Sequence, residues 1–214
     1  MNNENQIKNI IFDLGEVLFT GIKNTGLAFI EKHQIDEALL RKASLDSVRN
    51  PTPLLVPLVA EFFNGNISED DYIKAVLEQY PELGTDTWLK EHIRENFREV
   101  EGTRDIAIEL KKLGYRTAIL SIHGKEWIDY LEKKFDFHKL FDVHSFSYAE
   151  EISKPDPIAF KNVLQKLHSK PEECIFIDDN DRNTKAAEAL GIKSILFTNA
   201  EALRNSLKQI LPDF

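Results

Sequence analysis

The sequence predicts an α/β protein: a doubly wound parallel sheet of about five strands, interrupted after its first strand by a helical insert. Three observations carry that expectation. Short apolar runs rich in Ile, Phe and Val lie at Ile10 to Phe12, Arg116 to Leu120, Val143 to Phe146, Ile175 to Ile177 and Ser194 to Phe197, and strands of this kind are buried on both faces of parallel sheets. From Thr103 onward these runs alternate with stretches of helical period. Between about Thr20 and Val100 the helical period continues with turn breaks and without a buried strand, which marks an insert. The expected division is therefore 1–19 with 101–214 as the sheet-bearing core and 20–100 as a small helical domain.

The elements follow in order. Ile10-Ile11-Phe12 is the first strand, and Asp13 closes it at the head of the loop Leu14-Gly15-Glu16. In the insert, helices are expected through Leu27 to Ile30, Glu37 to Val48 and Leu54 to Phe63, the last containing Pro57 and ended by Asn64-Gly65-Asn66. Ser68 reads as an N-cap with Glu69, Asp70 and Asp71 in the first turn of a helix reaching Tyr80, stopped by Pro81. A further helix spans about Thr87 to Phe97. In the second half, Thr103 is expected to cap a helix that Gly114 terminates. A helix with Trp127, Tyr130 and Leu131 follows the second strand. Later helices are expected over Pro155 to Leu167, over Thr184 to Leu190, and from Asn199 to the end.

Composition narrows the function. With 36 acidic against 27 basic residues the 214-residue chain carries a formal charge of −9, which argues against nucleic acid or an anionic membrane surface as its main partner. The single cysteine, Cys174, begins an apolar run and reads as core, so a disulfide within the chain is excluded and a reducing compartment fits. The first residues, Met1 to Gln6, lack the basic and apolar regions of a signal peptide, and no apolar run approaches membrane-spanning length. The expected location is the cytoplasm; oligomeric state is not legible.

Four strand ends deliver polar chemistry to the crevice side of the sheet, where α/β folds bind ligands. Asp13 ends the first and Ser121 the second. Lys154 stands in Ser153-Lys154-Pro155-Asp156-Pro157, and Asp178-Asp179 ends the strand that begins at Ile175, with Asn183 shortly after. Taken singly, each has a plain structural reading: Asp13 as a turn cap, Ser121 as a strand-end hydroxyl, Lys154 as a solvated charge, and Asp178 to Asp181 as helix-capping acids. Four in order at strand ends read together as one site. His123, close to Ser121, reads as a loop histidine with a substrate contact as the alternative, and Glu16 carries the same two readings.

These residues, with Phe-Asp-Leu-Gly-Glu-Val-Leu, Ser-Lys-Pro-Asp-Pro and Ile-Asp-Asp-Asn as they stand here, resemble the four motifs of the haloacid dehalogenase-like hydrolase superfamily. The likeness spans most of the chain and is to the phosphatase branch with a helical cap after motif one. Within it, Asp-Leu-Gly and Gly65-Asn66-Ile67-Ser68-Glu69 are similar to bacterial sugar-phosphate phosphatases, α-glucose-1-phosphate phosphatase among them. The resemblance implies a Rossmann-like core and an Mg²⁺-dependent phosphatase for a small phosphorylated substrate, working through an aspartyl phosphate. Asp13 would be the nucleophile. Asp13, the Gly15 carbonyl and Asp179, with Asp178 direct or through water, would hold the metal. Ser121 and Lys154 would bind and neutralise the phosphoryl group, and Asn183 would orient the metal loop.

Two positions depart from the pattern. The second Asp of motif one, the general acid and base, is Gly15 here, and motif two continues Ser121-Ile122 where many relatives have Ser-Asn. The first departure leaves a catalytically weak binding homologue as one alternative. Dehalogenation of a 2-halo acid is another; it uses the same Asp without a metal and has no need of paired acids at Asp178 and Asp179.

Overall fold

The computed structural model describes residues 6–20, 55–79, 81 and 84–214. The expected helices through Leu27 to Ile30 and Glu37 to Val48, and Tyr80, lie outside these residues. β1 (Asn9–Phe12) is followed in the insert region by α1 (Leu55–Phe63), α2 (Glu69–Gln79) and α3 (Asp86–Glu95). Then come α4 (Thr103–Lys112), β2 (Arg116–Ser121), α5 (Lys125–Phe135), β3 (Val143–Phe146), the single turn α6 (Ser147–Glu150), α7 (Pro157–Leu167), β4 (Cys174–Asp178), α8 (Asp181–Glu188), β5 (Lys193–Leu196) and α9 (Ala200–Ile210). The five strands are parallel in the order β3-β2-β1-β4-β5, so β1 is central.

Strand alternation sorts the core into two layers. Ile10, Phe12, Ile119, Ile175 and Ile177 pack on one face with Ile106 and Leu110 of α4, Trp127 and Leu131 of α5, and Leu203 and Leu207 of α9. Ile11, Leu120, Cys174 and Phe176 pack on the other with Phe160 and Val163 of α7 and Ala187 of α8. The first layer continues without a break into Phe62, Phe63, Tyr72, Ile73 and Phe97 of the insert. There Trp127 meets Phe62, Phe63 and Phe97 edge-on at 5.1, 5.6 and 5.7 Å, while its indole N–H donates to the buried carboxylate of Glu69 at 2.8 Å.

The expected Ser68 cap is present. Its Oγ accepts from the Asp71 N–H at 3.1 Å while the Asp71 carboxylate takes the Ser68 hydroxyl at 2.6 Å. Three helix starts differ from expectation. Gly102 (φ 82°), not Thr103, precedes α4; Thr103 is its first residue, fully buried, with no hydrogen-bond partner for its hydroxyl. α7 begins at Pro157 because the Asp156 carboxylate caps the Ile158 N–H at 2.8 Å, and proline at the first helical position has no N–H to satisfy. α8 begins at Asp181, three residues before Thr184, because the Asn180 side chain accepts from the Arg182 N–H at 3.0 Å. Among the described residues no helix is long and apolar enough to cross a membrane.

Candidate active site

Register brings the acids together. Phe12 pairs with Ile177 and with Ile119, and the Asp13 N–H donates to the Ile177 carbonyl at 2.8 Å. Asp13 and Asp178 therefore leave the sheet level with each other, and Ser121 ends the strand on the other side of β1. Past Asp13 the chain turns tightly. The Leu14 N–H donates to the Asp13 carboxylate at 2.7 Å, Gly15 bridges to Phe19, and Glu16 takes a left-handed backbone (φ 57°).

Lys154 comes in from the loop before α7 with its side chain 1% exposed, and its ammonium lies 2.9 Å from Asp13 and 2.6 Å from Asp178. Burial alone would pull it down; the two carboxylates outweigh that and hold Lys154 above its ordinary value. Asp178 is fully buried. Both its oxygens accept from the Asn183 amide at 3.1 Å, and Oδ1 also accepts the Asn180 N–H at 2.8 Å. Burial pushes Asp178 above the usual carboxylate range, against the pull of Lys154.

Asp179 is the exposed member, and Asp13, Asp178 and Asp179 can each offer an oxygen within 4.8 Å of the others. Asp179 is pushed up to about 7 by desolvation and then by the charges of Asp13, Asp178 and Glu16. Three carboxylates around one ammonium leave negative charge uncompensated, and an all-oxygen donor set of this kind fits a hard divalent cation. The residues present fit Mg²⁺.

Ser121 is 2% exposed, and its Oγ lies 2.9 Å from Nδ1 of His123, itself buried. Burial, and then the Lys154 charge, push His123 down to about 3, so the imidazole is neutral at ordinary pH. The structure thus gathers Asp13, Lys154, Asp178 and Asn183 in one contact network, with Asp179 within 4.8 Å of its acids, Ser121 on the same sheet edge and Gly15 in the loop that leaves Asp13. It adds His123, which nothing in the sequence except nearness to Ser121 marked out.

A parallel sheet with a carboxylate at the end of its central strand, a buried lysine on it and paired acids at the end of the next strand defines a class. Residues 7–191 match the model of the haloacid dehalogenase-like hydrolases, and the chain belongs to that family. Its relatives include phosphatases. It is 28% identical to the glyceraldehyde 3-phosphate phosphatase of Pyrococcus furiosus over 202 residues, which cover 90% of this chain and 81% of that one. The fold is similar to that of the HAD family enzyme bt-2542 from Bacteroides thetaiotaomicron, with a TM-score of 0.75 at 21% identity over 94% of this chain and 98% of that chain. That enzyme is also known as a complex with magnesium and inorganic phosphate. The fold is similar, too, to L-2-haloacid dehalogenase from Xanthobacter autotrophicus, with a TM-score of 0.65 at 17% identity over 95% of this chain and 83% of that one.

Proposed function

We propose that this hydrolase is an Mg²⁺-dependent phosphatase for a small phosphorylated metabolite, a sugar phosphate being the favoured class, and that it works through an aspartyl phosphate on Asp13. The carrying observation is the cluster of Asp13, Asp178 and Asp179 around the buried Lys154. A metal-free dehalogenation would use Asp13 but has no need of the paired acids Asp178 and Asp179. The sugar-phosphate class is supported by the phosphatase relative, whose name specifies a triose phosphate.

In this reading a carboxylate oxygen of Asp13 attacks phosphorus, the bond to the leaving oxygen breaks, and water later cleaves the acyl phosphate to restore Asp13 and release inorganic phosphate. Asp13 and Asp179 would hold Mg²⁺ directly with the Gly15 carbonyl. Asp178 would reach it through water, since both its oxygens already accept from protein donors. The ion supplies charge neutralisation for the transferring oxygens. Lys154 binds Asp13 and a phosphoryl oxygen, Ser121 donates to another, and Asn183 holds Asp178 in orientation. Residues 20–100 would form the cap, a division supported by α1, α2 and α3 all falling in sequence between β1 and β2.

With glycine at position 15, no side chain there protonates the leaving group. General acid catalysis contributes about 10²–10⁴-fold, so rates should fall steeply as leaving-group pKa rises, favouring anomeric and acyl phosphates over simple alkyl ones. The test is a panel of aryl, alkyl, anomeric and acyl phosphates, with a 2-halo acid, assayed in Mg²⁺ and in chelator. Hydrolysis confined to Mg²⁺ supports the proposal; equal rates in chelator, or halide release, overturn it. Phosphate binding without turnover of any ester would favour the weak binding homologue that Gly15 suggests.

Asp179→Asn removes one of the crowded charges. The metal-free variant should keep its Tm, because the carboxylate gains nothing from its neighbours, while the rise in Tm on adding Mg²⁺ should shrink. An undiminished Mg²⁺-induced rise would remove Asp179 from the ligand set.

A further inference from the structure

The loop Ile122-His123-Gly124 is where the insert meets the Ser121 hydroxyl. Phe62 of α1 lies so close over Gly124 that a Cβ there would fall 2.1 Å from its ring. The carbonyl of Phe63, the last residue of α1, accepts the Ser147 hydroxyl at 2.5 Å, and that oxygen accepts the His123 N–H at 3.2 Å. The Phe63 and His123 rings face each other at a tilt, 6.0 Å apart. From the end of α1 to Ser121 Oγ the contacts run through buried groups.

A neutral imidazole carries one proton, and a serine hydroxyl has one to give. If Ser121 donates to Nδ1 of His123, nothing remains for a phosphoryl oxygen. If Nδ1–H donates to Oγ, the Ser121 proton is free to point at the substrate. We propose that His123 is a positioning residue: it holds the Nδ1–H tautomer, donates to Ser121 Oγ and aims that hydroxyl at the transferring phosphoryl group, its own place being set by the end of α1 through Ser147. The proposal rests on the phosphatase reading for what Ser121 is aimed at. The 2.9 Å contact accommodates either tautomer, and Nδ1–H is the one that leaves the Ser121 proton free. The Lys154 charge adds a reason for neutrality, since a second buried cation would be repelled by it.

The decisive measurement is ¹⁵N NMR of the imidazole nitrogens in the full chain, with His123 assigned by the signal lost in His123→Asn. A protonated Nδ1 and a bare Nε2 are expected; the reverse overturns the proposal whether or not the protein turns over any ester. A mutant cycle follows. His123→Phe should lower kcat at least about tenfold with little change in KM, His123→Asn, whose amide reaches the Nδ1 position, should recover most of that, and His123→Phe in a Ser121→Ala background should cost nothing further. Independent, additive losses would mean that His123 does not act through Ser121. Absence of turnover in the wild type would fell the phosphatase reading, with the tautomer still deciding this one.

Discussion

Lys154→Ala is expected to cut turnover by about three orders of magnitude and to destabilise the metal-free protein as well. Among the described residues the ammonium is the one positive group between Asp13 and Asp178, at 2.9 and 2.6 Å, and its side chain is almost wholly removed from water. At an effective dielectric of about 20, a unit charge pair 4 Å apart interacts by about 4 kcal/mol, and deleting one partner of a buried pair typically costs about 3–5 kcal/mol because the other is left stranded. The same deletion removes the charge that would draw a phosphate dianion towards an anionic nucleophile, a transition-state term of similar size. Two readouts should therefore move together: kcat/KM falls, and Tm falls unless Mg²⁺ is added to take up part of the charge. Lys154→Arg should recover little, since a planar fork cannot occupy the position of a compact ammonium between two acids. Full turnover in Lys154→Ala would show that the lysine only balances charge in the resting protein.

Asp13→Asn separates nucleophile from ligand. The amide oxygen keeps the Leu14 N–H at 2.7 Å and the approach of Lys154, so the fold should be intact. The amide has neither the charge nor the basic lone pair needed to attack phosphorus, and removing a covalent nucleophile typically costs about 10⁴-fold or more in turnover. Binding of inorganic phosphate should persist or tighten, because one like charge has gone from its path. If Asp13 served only as a metal ligand, raising Mg²⁺ would restore activity to Asp13→Asn. Restoration of that kind would overturn the aspartyl-phosphate mechanism.

Much of this was legible in the residues. Ile10 to Phe12 and Ile175 to Ile177 are apolar runs that stop on an acid, and in a parallel sheet that stop fixes both where the strand ends and which edge the acid occupies. Asp13 and Asp178 could be placed from pattern alone for that reason. Helix starts were less legible where start signals adjoin: Pro155 and Pro157 both suit a first helical position before α7, and Asn180 lies inside an acidic run that reads equally well as a turn. Nearness to Ser121 marked out His123, but not what holds it. Its partners Ser147 and Phe63 come from distant parts of the chain, the His123–Ser147 contact spanning 24 positions and the Ser147–Phe63 contact 84. No local pattern encodes a contact made by chain reversal.

The two-layer sorting of the strands has a consequence for how this protein tolerates change. Phe12 and Ile177 belong to one layer, and Ile11 and Phe176 to the other. A slip of β1 by one residue would exchange the layers and carry Asp13 off the level of Asp178 and Lys154. Packing and aim are thus a single degree of freedom. Heritable variation in these apolar positions is filtered twice, by the volume each layer accepts and by the ångström or so of alignment the acids allow, so drift in this sheet should be slower than burial alone would require.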